Sequence, residues 1–77
     1  MTERSETIEN FIMNSKGEPF IVQDIIDILI EKGLSVDKYV DNSAVNTKLG
    51  QLKKFKIVEP GEIVSKYGKR WREWRLC

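Results

Sequence analysis

The chain has 77 residues, a formal charge of +1, 40% apolar and 32% charged residues, one Cys at its last position and no His. A domain of this size buries about 60 to 65% of its unfolded surface and has room neither for a second domain nor for a large enclosed pocket, so a partner is expected on the outer surface. A single terminal Cys excludes an intrachain disulfide and a two-cysteine metal site and suits a reducing, cytoplasmic compartment, while no apolar run is longer than Ile28 to Ile30, far too short to span a bilayer.

The first segment, "MTERSETIEN", is charged where a secretory leader would need an apolar stretch, and residues 1 to 4 are expected to form a disordered tail. Ile8, Phe11 and Ile12 then recur at helical spacing, with Ser5 as a candidate N-cap and "NSKG" as a stop, which predicts a first helix over Ser5 to Ser15. Pro19 interrupts, and "PFIV" is a β-rich run able to form one small strand. From Val22 to Lys32 the apolar face is Ile25, Ile26, Leu29 and Ile30, with Ile28 off the stripe and Gly33 as the C-terminal cap, so a second helix is predicted there.

"LSVDKYVDN" is read as a connection or a single helical turn. The third helix is predicted over "NSAVNTKLGQLKKF", capped by Asn42 or Ser43, with Val45, Leu49, Leu52 and Phe55 on one face. Its opposite face is Ser43, Asn46, Thr47, Gly50, Gln51 and Lys54, bordered by Lys48 and Lys53. No acid stands among these residues.

In "KIVEPGEIVSKYG", Pro60-Gly61 reads as a turn between β-rich runs, and "KRWREWRL" supplies a returning strand. A Gly68-Lys69 loop sets Ile63 opposite Trp74, and a loop from Gly68 to Arg70 sets Val64 there. Trp71 and Trp74 are three apart, so a regular strand puts them on opposite faces, one in the core and the other exposed.

Charge is divided unevenly along the chain. Residues 1–42 carry four basic and nine acidic side chains, a balance of −5, and residues 43–77 carry nine basic and three acidic ones, a balance of +6. Such a division points to a polyanion as partner of the second half, nucleic acid being the commonest, against the plainer reading of an unevenly charged solvated surface.

The order of these elements resembles the winged helix-turn-helix family of DNA-binding domains, most specifically where "SAVNTKLGQLKKFKIVEPG" resembles a recognition helix running into the first wing strand. The resemblance implies an α+β fold, a single winged-helix domain over 1–77 with its helical part over 5–55 and its wing over 56–76. The function it implies is double-stranded DNA binding by a small transcriptional regulator, on the nucleoid and without a cofactor. Ser43, Asn46, Thr47, Lys48, Gln51 and Lys54 would face the major groove, where Asn and Gln pair with adenine and Lys reaches guanine or phosphate. Lys69, Arg70, Trp71 and Arg72 would meet the backbone or minor groove from the wing. The connection Leu34 to Asn42 is longer than a simple turn between such helices, and Gly50 inside the third helix either lets a groove come close or packs tightly within the fold.

Two other functions compete. Winged helices also serve as protein-docking modules, and the acidic first half offers a negative surface for a protein partner. Tyr67, Trp71 and the cations between them can stack the bases of single-stranded DNA or RNA. An enzyme is not expected: the usual nucleophile and base pairs are missing, and Asp24, Asp27 and Glu31 read as solubilising charges on a helix face.

Overall fold

Ile8 and Ile12 lie one helical turn apart, as do Ile25 and Leu29, and Val45 and Leu49, and each pair is fully buried. These three stripes meet in one core. In the computed structural model, which describes residues 3–77, they belong to α1 (Glu3–Asn14), α2 (Val22–Glu31) and α3 (Lys38–Lys54), followed by the strands β1 (Val58–Lys66) and β2 (Lys69–Leu76) of an antiparallel hairpin. This is an α+β fold with three helices and a C-terminal β-hairpin, the layout of a small winged helix. No helix among the described residues is long and apolar enough to cross a membrane.

α1 begins earlier than its sequence suggests. Glu3 and Arg4 are helical, so they are not a tail, and Ser5 lies inside the helix where a cap was expected; residues 1 and 2 lie outside the described residues. The early start is held by Arg4, whose guanidinium reaches Asp41 of α3 at 3.1 Å. Between α1 and α2 the β-rich run contributes one bridge: Phe20 and Trp74 exchange two backbone hydrogen bonds of 2.8 Å each. The Phe20 ring also meets Phe11 edge-on at 5.6 Å.

α2 is opened by the Asp24 carboxylate, which accepts from the Ile21 N–H, and closed by Gly33 with φ +70°. The N–H groups of Gly33 and Leu34 return to the Ile30 and Leu29 carbonyls, the paired bonds of a Schellman ending. Ile30 is 57% exposed and does not share the core face with Ile25, Ile26 and Leu29; Val22 joins that face instead, and Ile28 is half-buried away from it.

α3 is longer than expected because Asp37 caps it, accepting from the Val40 N–H at 2.8 Å. "LSVDKYVDN" is therefore mostly helix, and Asn42 and Ser43 lie inside it. The helix ends in a second Schellman arrangement, Lys56 N–H to Lys53 and Ile57 N–H to Leu52, with Lys56 at φ +59°. Phe55 occupies the C-cap and is 74% exposed, so the buried stripe stops at Leu52.

The hairpin departs from both expected registers. Its loop is Tyr67-Gly68, closed by Lys66 opposite Lys69, with both loop residues at positive φ as a type I′ turn requires. Val64 pairs with Trp71 and Pro60 with Trp74. A register shift between Pro60 and Ile63 sets Gly61 and Glu62 against Glu73, so Pro60-Gly61 is not a turn but leads into a Gly61-Glu62 bulge within β1. The site tolerates Pro60, which lacks an N–H, and a Cβ on Gly61 would meet the Glu73 carbonyl oxygen only at ordinary van der Waals distance, 3.5 Å. A bulge strengthens the local twist. Both Trp71 and Trp74 are half-buried and pack against the core, contrary to the expectation of one buried and one exposed indole.

Candidate nucleic-acid interface

Burial of Val45, Leu49 and Leu52 turns the other side of α3 to solvent, where Ser43, Asn46, Thr47, Gly50, Gln51, Lys53 and Lys54 are all exposed. Gly50 has nothing within 4 Å of where a Cβ would stand, so it makes no tight contact within the fold. The Asn46 amide donates to the Asn42 carbonyl at 2.8 Å and keeps a second N–H and its oxygen facing outward.

Two of the expected contacts are modified by α1. Lys48 is half-buried, and its ammonium lies 3.6 Å from the Glu9 carboxylate, so it is tied to α1 and not presented with Asn46. Thr47 and Gln51 stand at the rim of a groove of about 290 Å³ between α1 and α3, with Arg4, Ser5 and Ile8 on the other wall.

α3 contains one acid, Asp41, and it is 1% exposed. The Ser35 hydroxyl and the Val36 N–H donate to its carboxylate, and the Arg4 guanidinium reaches the same group. Burial pushes the Asp41 carboxyl up, but the Ser35 hydroxyl, the Val36 N–H and Arg4 together hold it below its ordinary value. The exposed surface of α3 therefore carries no carboxylate; from Ser43 to Lys54 its exposed side chains are cations, amides and hydroxyls, and Tyr39 and Val40 are exposed in its first turn.

The early start of α3 adds Lys38 and Tyr39 to this surface, beside an open hollow of about 480 Å³ that Asn42 and Ser43 also line. Neither residue stands out in the sequence, because both fall in the stretch read as a connection; Asp37, an N-cap type one residue ahead of them, is the signal that places them on a helix.

At the wing tip Lys66, Tyr67, Lys69 and Arg70 are exposed. The Lys38 ammonium lies near that of Lys69 and lowers the Lys69 pKa. The N-terminal end of α3 and the wing tip thus bring two cations, Lys38 and Lys69, near each other. Trp71 is not a free tip residue: its indole N–H donates to the Lys66 carbonyl at 2.9 Å. Arg72 lies lower on the ribbon and donates to the Gly61 carbonyl at 2.7 Å, bracing the bulge.

The chain was compared with family models, with curated proteins and with solved structures, and nothing matches it.

Proposed function

We propose that the protein binds double-stranded DNA, with the exposed face of α3 in the major groove and the basic wing on the phosphate backbone or minor groove. The observation that carries this reading is the carboxylate-free surface of α3, whose one acid is turned inward and neutralised while Lys38, Lys53 and Lys54 point outward. A helix with this surface meets phosphates without repulsion and offers Asn46 and Gln51 to base edges. A docking helix would instead expose apolar anchors along its length, whereas the exposed apolar residues here, Tyr39, Val40 and Phe55, stand only at the two ends of α3. Acting as a small regulator, the chain works by occupying its site or by recruiting a partner through the acidic side formed by α1 and α2.

Salt dependence tests this directly. With four to six phosphates neutralised, the logarithm of the duplex association constant falls against log salt with a slope of about −4 to −5. An affinity indifferent to salt between about 50 and 200 mM removes duplex DNA as the partner.

A further inference from the structure

Tyr67 occupies a position that its own fold disfavours. It is the first central residue of the wing turn, with φ +54°, followed by Gly68 at +73°. Both central positions of such a turn favour Asn, Asp or Gly, because a Cβ crowds the backbone in the left-handed region. The Tyr67 side chain is 71% exposed, so packing returns little for that strain. An aromatic ring held there at a cost to the hairpin points to something met outside the chain.

Its surroundings say what. Between the wing tip and α2 lies a hollow of about 270 Å³ lined by Gln23, Asp27, Tyr67, Lys69 and Trp71. The ammonium of Lys69 lies near that of Lys38, and among the described residues no carboxylate lies within ion-pair distance of Lys66, Lys69 or Arg70. A ligand that suits this place combines a flat ring with an anionic group. On the α2 side the Asp27 carboxylate accepts from the Gln23 amide at 2.8 Å. It repels a bare phosphate from the hollow and favours a ring edge that donates.

We propose that this hollow takes an unpaired nucleobase, stacked on the Tyr67 ring, with the adjoining phosphate held between Lys69 and Lys38. The site rests on the nucleic-acid reading above and adds to it: α3 engages the duplex while the wing engages a base freed from it, at an end, an overhang or a bulge. Base–aromatic stacking tolerates any base, because every base has a π-face.

The test uses the full chain with Tyr67→Asn and Tyr67→Phe, a blunt DNA hairpin duplex, and the same duplex carrying an oligothymidine overhang. Asn suits the turn, so Tyr67→Asn should melt no lower than the parent, and any loss of binding is then not a loss of folding. The parent should bind the overhang duplex more tightly than the blunt one. Tyr67→Asn should lose about tenfold on the overhang duplex and nothing on the blunt one, while Tyr67→Phe keeps the parent's affinity for both. The proposal is overturned if the parent does not distinguish the two duplexes, if Tyr67→Asn binds the overhang like the parent, or if Tyr67→Phe loses as much as Tyr67→Asn. Failure of the duplex reading shows separately, as a parent that ignores the blunt hairpin, and the overhang comparison then still decides the role of Tyr67.

Discussion

A carboxylate with 1% of its surface in water is unfavourable unless it is well partnered, and Asp41 has three partners from two parts of the chain, Arg4 of α1 and the adjacent Ser35 and Val36. It ties α1 and the α2–α3 connection to the first turns of α3, the helix that carries the candidate interface. Asp41→Ala should cost about 2 to 3 kcal/mol, less than the loss of a fully buried pair because Arg4 still reaches solvent. Because the folded-state pKa of Asp41 is depressed, the stability it contributes is complete above the ordinary carboxylate range and disappears as pH falls through and below that range. Urea unfolding should therefore show the parent losing more stability than Asp41→Asn between neutral pH and about pH 3. Nothing in the local sequence singles out Asp41 from its eight fellow acids in the first half of the chain. Its role depends on Arg4, 37 positions away, and periodicity does not report contacts at that separation.

At the scale of elements, the helix faces are legible wherever apolar spacing is strict. Ile25 with Leu29, and Val45, Leu49 and Leu52, are buried where spacing places them, and the exposed polar face of α3 follows from the same rule. Ends and registers are less legible. Phe55 and Ile30 fit the spacing but fall at helix ends, where the chain turns away from the core. The wing register depends on one extra residue, the Gly61-Glu62 bulge, and on a Tyr accepting positive φ, which a rule placing Gly first in the turn does not anticipate. With both indoles packed on the core, Trp74→Ala should cost about 3 kcal/mol and Trp71→Ala about 2 kcal/mol, each below the range for a fully buried ring or at its lower edge. Thermal melts of the two variants check this, and a Trp71→Ala that melts like the parent would return that residue to the exposed face. On α3, Asn46→Ala and Gln51→Ala should each weaken a preferred sequence by about 1 to 3 kcal/mol and leave scrambled duplexes almost unchanged. Lys69→Ala and Arg70→Ala should weaken all duplexes alike and lower the salt slope by about one each. Binding isotherms for the four folded variants separate base reading from backbone attraction.

Over the whole molecule, the division of charge along the chain becomes a division between elements. Exposed acids concentrate on α1 and α2, and exposed cations on α3 and the wing, with Lys38 added to the basic side by the early start of α3. This separation is legible in the sequence as a balance of −5 against +6; the meeting of Lys38 with Lys69 is not, because it depends on where a helix begins and how a hairpin leans. A polarised molecule of this kind is steered so that its basic side approaches a polyanion first. The central claim is that α3 and the wing together form the nucleic-acid surface, and a chemical-shift titration of the isotope-labelled chain with mixed-sequence duplex DNA tests it in one measurement. The amides of Ser43, Asn46, Thr47, Gly50, Lys54, Lys69 and Arg70 should shift together and saturate together, while the outer faces of α1 and α2 stay still. Shifts confined to α1 and α2, or none anywhere at saturating duplex, would contradict it.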